Sequence, residues 1–386
     1  MNLSSDSKTV FLNLVRLGLG NDGVLHVICY SPQTNIDWEE IQSLALEQGL
    51  SAIVLDGIEK LPEEKRPPRI MLLEWIGDTQ VSYEYQYKQY RNAIAELAGW
   101  HNAHGLKMMV LKGYACSLNW PKPEHRPCGD IDIWQFGQYK EADAALTKEK
   151  GIEIDNSHHH HTVYEWLGFT VENHYDFVNV HARRSSAEME KVFKELGNYN
   201  VESGEFRAES QLKGCSIEGC KIPCVEVNGE KVYLPSPNLH ALFLIRHMVS
   251  HFAAANITLR QVLDWAFLVE KHTKEIDWQW LLQILDKFHM REFFSYINAI
   301  CVEDLGFEAS IFPKWQINPQ QKDRVLKDIL EPAFRAEALE DFLPRVIYKY
   351  KRWKGNAWKH DMCYSEGRWS AFWSGIWAKI LKPASI

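Results

Sequence analysis

No stretch of this 386-residue chain approaches the ~18 uninterrupted apolar residues that would cross a bilayer. Its opening, MNLSSDSKTVFLNLV, does not combine a basic leader, an apolar run and a small-residue cleavage site, so no secretory signal is expected. Cysteine is sparse, with 8 residues scattered along the chain. That excludes a disulfide framework and suits reduced thiols in a cytoplasmic protein. Excess positive charge is also missing, and a formal net charge of −8 argues against a surface coated for DNA. The 46% hydrophobic and 24% charged content is that of a globular protein. The length predicts two or three domains at ~150 residues each. What the chain has in unusual number is tryptophan, 15 residues in all. The count alone does not choose among core filling, base stacking and a membrane interface.

The pattern along the chain divides it into three parts. Residues 1–105 read as helical. Asp37 is an N-cap before Trp38, Ile41, Leu44 and Ala45, with Gly49 closing the run. Residues 81–105 lack proline and repeat apolar positions at three- and four-residue steps. Residues 106–234 interleave strands and helices. Strands are expected at 106–111, 130–134, 162–166 and 169–174, with a tight turn at Leu167-Gly168 and a further hairpin at Asn228-Gly229. The helix at 139–150 ends at Gly151. This is an α/β (α+β) core, a mixed sheet with helices packed on it. Residues 235–386 return to helices at 239–252 and 258–270, with Asp277 opening another, and finish in a basic, Trp-rich tail.

The segment with the most chemical information is Leu111-Lys112-Gly113-Tyr114, followed by Arg126 and Gly129-Asp130-Ile131-Asp132-Ile133. A strand's period of two puts Asp130 and Asp132 on one face, where two like charges repel unless a cation neutralises them. Carboxylates at such an edge suit Mg²⁺, and a glycine one strand earlier lets backbone N–H groups approach a phosphate. On the strand Thr170-Val171-Glu172-Asn173-His174, Glu172 and His174 share a face. If that strand lies beside Asp130–Ile133, Glu172 can join the aspartates in a two-metal arrangement for phosphoryl chemistry. Asp176 is a further acid on the same side of an ideal strand.

The order of a helical leader, Lys112-Gly113, Arg126, Asp130-x-Asp132 and Glu172-x-His174 resembles the uncharacterised nucleotidyltransferase family of the polymerase-β-like superfamily. The resemblance spans about residues 36–280, including His247-x₃-His251 and Leu259-Arg260-Gln261-x₂-Asp264. It implies a polymerase-β-like nucleotidyltransferase core, flanked by N- and C-terminal helical regions, that transfers NMP from an NTP to an acceptor hydroxyl and releases pyrophosphate. Asp130, Asp132 and Glu172 match the catalytic, metal-holding carboxylates for Mg²⁺, or Mn²⁺ in its place. Lys112, Gly113, Tyr114, Arg126 and His174 are the candidate nucleotide contacts. The sequence departs from the superfamily's usual Gly-Ser, since Tyr114 stands where the serine hydroxyl would touch the triphosphate. A catalytically lapsed nucleotide-binding or partner-docking protein on the same fold is the alternative this departure raises.

Other clusters carry weaker signals. His158–His161 is a run of four histidines that either leads polar chain into the next strand or binds a transition metal. His174 either meets phosphate or a carboxylate, or packs with a hydrogen-bonded ring. His247 and His251 lack the glutamate of a His-Glu-x-x-His zinc site and are expected as a structural pair or as lining of the nucleotide cleft. Cys215, Cys220 and Cys224 do not have the spacing of a zinc ribbon. In residues 345–382, basic side chains alternate with Trp353, Trp358, Trp369, Trp373 and Trp377. A terminal helix docked on the body is the first expectation there, membrane-surface or protein docking the second, and nucleic acid the last. The acceptor and the base of the NTP are not encoded in any motif of the chain.

Overall fold

A computed structural model describes residues 4–30, 36–197, 199–200, 205–206, 223–334 and 342–370. Its centre is a six-stranded mixed sheet. The strands are β1 (Met109–Val110), β2 (Ile131–Trp134), β3 (His161–Trp166), β4 (Phe169–His174), β5 (Cys224–Val227) and β6 (Glu230–Tyr233), in the order β3-β4-β2-β1-β6-β5. The β2–β4 and β1–β6 pairs are parallel and the rest antiparallel.

Two hairpins are set by their turn residues. Leu167 and Gly168 have φ of 49° and 82°, and Asn228 and Gly229 have 50° and 89°. Both central residues of each turn are left-handed, which matches the twist of the flanking strands. The strand expected at 106–111 is shorter than its apolar run suggests. Only Met109 and Val110 pair with β2 residue for residue, and the ladder ends in the flanking bonds from Leu111 N–H to the carbonyl of Asp132 at 2.9 Å and from Tyr233 N–H to the carbonyl of Met108 at 3.0 Å. Leu106, Met108 and Leu111 are buried around it as core residues.

The alternation along the strands divides the sheet into two faces. Ile131, Ile133 and Val171 pack with Tyr90, Ala93 and Leu97 of α1 (Gln86–Ala103). This helix continues without a break from Arg69–Thr79 through the π turn Gln80–Tyr85, so it starts well before residue 81. The single-turn α2 (Tyr114–Ser117) follows β1, and α3 (Tyr139–Lys150) adds Leu146 to the same apolar layer. The other face carries Asp132, Trp134, Glu172 and His174. It looks towards α4 (Pro237–Ala254) and α5 (Leu259–His272).

Helices from both ends of the chain build one body around that second face. Val10, Leu14 and Leu44 share a core with Leu263, Ile284 and Phe293. Gln48 ties the ends together: its Nε2 donates to the carbonyl of Ile329 at 3.0 Å, and its Oε1 accepts from the N–H of Leu259 at 2.8 Å. Asp37 and Asp277 cap their helices through the N–H groups of Glu40 and Trp280. Near the C-terminus, α6 (Ala357–Cys363) docks with Met362 and Cys363 buried, while Trp358 meets Phe252 edge-on at 5.6 Å. Trp353 and Trp369 contact each other at 5.0 Å. Trp373, Trp377, Cys215 and Cys220 lie outside the described residues. Among the described residues no helix is long and apolar enough to cross a membrane.

Candidate active site

Between the polar face of the sheet and helices α4 and α5 is a cleft of about 810 Å³. The sheet side supplies Lys112, Asp130, Asp132, Glu172 and His174, and the helical side supplies Arg246, His247, His251 and Arg260. The parallel register of β2 and β4 sets Asp132 directly beside Glu172. A slip of one residue in either strand would turn a carboxylate into the apolar layer under α1. Asp130 precedes β2, exposed at the mouth of the cleft.

Asp132 is almost fully buried and is held by Lys112 and His174. Lys112 Nζ lies 2.7 Å from its Oδ1, and His174 Nε2 lies 3.2 Å from the same atom. Burial works against the charge of Asp132, but Lys112 and His174 outweigh it and hold the carboxyl far below its usual range. His174 also sits 3.5 Å from Glu172 Oε2. Its burial favours the neutral ring, yet the bonds to Asp132 and Glu172 raise its pKa. For Glu172, burial pushes upwards and the His174 bond prevails, leaving a lowered value. Asp130 moves the other way, raised by burial and then by the charges of Glu172 and Asp132. His160 and His161 are both lowered, chiefly by burial and then by His174, with His161 at about 4.

Gly113 is required by the fold as well as available to a ligand. Its φ is +54°, a conformation L side chains rarely adopt, and a Cβ there would collide with the hydroxyl of Tyr90. That hydroxyl donates to the carbonyl of Asp130 at 2.9 Å and accepts from the backbone N–H of Tyr114. Tyr90 therefore plugs the glycine turn from behind and stitches it to the start of β2.

Two sequence expectations change as a result. The ring of Tyr114 is buried in the apolar layer, stacked on Tyr87 with centroids 6.3 Å apart, and it does not line the cleft. It cannot offer a hydroxyl to a nucleotide from there. Arg126 does reach the cleft, but three of the N–H groups of its guanidinium are bonded within the protein. Nε and Nη2 donate to the two oxygens of Asp264 at 2.7 and 2.9 Å, and Nη1 donates to the carbonyl of Pro127 at 3.1 Å. Trp120 Nε1 donates to the same Asp264 at 2.9 Å. Arg126 is a brace between the loop before β2 and α5.

The cations that sequence reasoning passed over as phosphate contacts are Arg183, Arg246 and Arg260. Arg183 stacks 3.5 Å over the ring of Tyr364 and bonds His360 at 2.9 Å. Arg246 bonds Ser250 and the hydroxyl of Tyr364, the latter at 3.2 Å. Arg260 lies in the first turn of α5, which Thr258 and Gln261 close with a capping box. Arg246 and Arg260 sit beside recognisable motifs, whereas nothing in the sequence around Arg183 or Tyr364 marks them. His247 and His251 line the cleft with ring centroids 4.3 Å apart.

The donor set fits a hard divalent cation. Three carboxylates converge on the cleft, and donor atoms of Asp132, Glu172 and His174 lie within 4.8 Å of one another. The pKa of Asp130 is raised first by burial and then by the charges of Glu172 and Asp132, and a cation would relieve that second, repulsive part.

A strand-edge carboxylate set thus faces an arginine-lined cleft, and comparison with known proteins gives the family. The model of the uncharacterised nucleotidyltransferase family matches residues 34–213 and 216–306, and the chain belongs to that family. Among solved structures, the crystal structure of an antigenic nucleotidyltransferase-like protein from Paracoccidioides brasiliensis is similar at a TM-score of 0.31 and 14% identity. The match covers 58% of this chain and 97% of that one. No curated protein matches the chain.

Proposed function

We propose that the protein is a Mg²⁺-dependent nucleotidyltransferase that moves NMP from an NTP to an acceptor hydroxyl. The observation that carries the reading is the β2–β4 register, which sets Asp132 beside Glu172 on the cleft side of the sheet. Asp130, Asp132 and Glu172 would hold the ion. Bound there, Mg²⁺ would supply Lewis-acid stabilisation of charge on the triphosphate. Glu172 takes the proton of the acceptor hydroxyl, its carboxylate kept in position by His174. The acceptor oxygen forms its bond to the α-phosphorus as the bond to the β-phosphate oxygen breaks, and pyrophosphate leaves. Arg260, Arg246 and Arg183 bind the phosphate oxygens from the helical side. Lys112, on a flexible four-carbon stem, can exchange Asp132 for a phosphate oxygen once a cation neutralises that carboxylate.

The cytoplasm is the proposed location, and the acceptor is a hydroxyl compound of unassigned class. Docking of residues 345–382 on a membrane surface or a protein is a separate proposal, with nucleic acid less favoured by the net charge of −8. The test is a panel of labelled NTPs incubated with Mg²⁺, cell extract and the protein, reading pyrophosphate release and label transfer. Asp132→Asn should retain the circular dichroism of the wild type and lose turnover on the order of 100-fold or more. Unchanged turnover would overturn the assignment. Tyr90 occupying the N–H of Tyr114 favours a second reading, a lapsed enzyme that still binds nucleotide. Calorimetric binding of NTP with no pyrophosphate release under any acceptor would select it.

A further inference from the structure

The carboxylates account for only part of the ligating chemistry in the cleft. His160, His161 and His174 form a second group whose donor atoms all lie within 4.8 Å of one another. Their ring centroids are 4.4 Å apart for His160 and His161, 5.2 Å for His161 and His174, and 5.6 Å for His160 and His174. We propose that these three imidazoles, with His174 as the neutral ring, bind a divalent transition-metal ion of the zinc class at a site that shares His174 with the carboxylate set and differs from it in its other donors.

The geometry is built by the fold. His161 opens β3 and His174 closes β4, and the antiparallel register pairs them directly, so their side chains share the cleft face. Neighbouring residues on an ideal strand point to opposite faces, which would send His160 away. It precedes the strand in a bend instead, and its carbonyl accepts from the N–H groups of both Tyr175 and Asp176, at 3.0 and 3.1 Å. The Tyr175 hydroxyl donates to the carbonyl of His158 at 2.9 Å. The backbone of the histidine run is thereby clamped to the end of β4, which makes it a shaped wall of the cleft.

The ring nitrogens supply the second observation. Nδ1 of His160 and Nδ1 of His161 are buried without a hydrogen-bond partner among the described residues, and His161 as a whole is 7% exposed. Buried imidazole nitrogens are ordinarily bonded, so two orphans side by side need a common partner. A cation is the partner that imidazole lone pairs suit, and nitrogen donors favour zinc-class ions over Mg²⁺. With Zn–N of ~2.0–2.1 Å, tetrahedral ligation needs donors ~3.4 Å apart, within reach of side-chain rotation from the observed group. Three protein ligands leave a fourth position open to the cleft, as in catalytic rather than structural zinc sites.

The inference does not rest on nucleotidyl transfer, and its test contains no nucleotide. The full chain, purified without a histidine tag, is equilibrated with Zn²⁺ in excess Mg²⁺, dialysed, and analysed for metal by mass spectrometry. The expected result is one zinc per chain. His160→Gln and His161→Gln should each lose it with unchanged circular dichroism, while a Cys215→Ser, Cys220→Ser, Cys224→Ser variant should keep it. Co²⁺ substitution should give visible d–d bands without a thiolate charge-transfer band. No bound zinc, zinc that survives both histidine variants, or zinc lost with the cysteines would overturn the proposal. His160→Gln lies in the bend outside the ladder, so it keeps the test decisive if His161→Gln fails to fold.

Discussion

At the scale of single residues, the site depends on groups that block one another's alternatives. Gly113 cannot take a side chain because its backbone is left-handed and because Tyr90 fills the space behind it. Gly113→Ala should therefore cost about 1–3 kcal/mol. Tyr90→Phe in the same chain should recover the part due to the collision and none of the backbone strain, and urea denaturation of both single variants and the double separates the two. His174 gives a pH signature. Its pKa is raised in the folded state, so its contribution is complete below the unfolded value of ~6.5 and is lost as pH rises through the folded value. In metal-free protein, the stability gap between wild type and His174→Gln should be widest in mild acid and narrow towards alkaline pH. A gap that widens instead would contradict the assignment of His174 as the cationic partner of Asp132. The face that Asp132 and Glu172 each take was legible because a period of two is a property of the strand itself, whereas their pairing stood only as a condition because strand order is not local. The burial of Tyr114 was not, because the direction of a residue at a helix start depends on which ring already occupies the space beneath it.

Elements carry a different kind of information. Hairpins at Leu167-Gly168 and Asn228-Gly229 could be read from the sequence, since turn chemistry is local. The role of Arg126 could not, because its partner Asp264 lies on a helix far along the chain. That buried pair fastens the loop before β2 to α5, and through α5 it fixes Arg260 opposite the carboxylates. Removing one member leaves the other charge uncompensated, so Asp264→Ala should destabilise by about 3–5 kcal/mol in chemical denaturation. Exchanging both residues for apolar ones of similar size should cost much less than Asp264→Ala alone. Equal losses would mean that Arg126 finds another partner and that the brace is redundant.

For the whole molecule, the surprise is that the two helical ends are one body. Gln48 joins Leu259 to Ile329 through hydrogen bonds that no apolar period announces. Lys359, fully buried, pairs with Asp328 and donates to the carbonyl of Ala255 at 2.7 Å, fastening α6 to the end of α4. A chain ending at residue 306, where the family match stops, should melt at lower temperature and with less cooperativity than the full chain, as followed by circular dichroism. An unchanged melt would show that the later helices add no stability to the body. Tyr364 belongs to that later part, yet its ring lies under Arg183 and its hydroxyl meets Arg246. One wall of the cleft is thus made of chain that the family pattern does not include. A relative that shares only the matched stretch must complete this wall with other residues, so the carboxylate edge can be inherited intact while the compound admitted opposite it is exchanged.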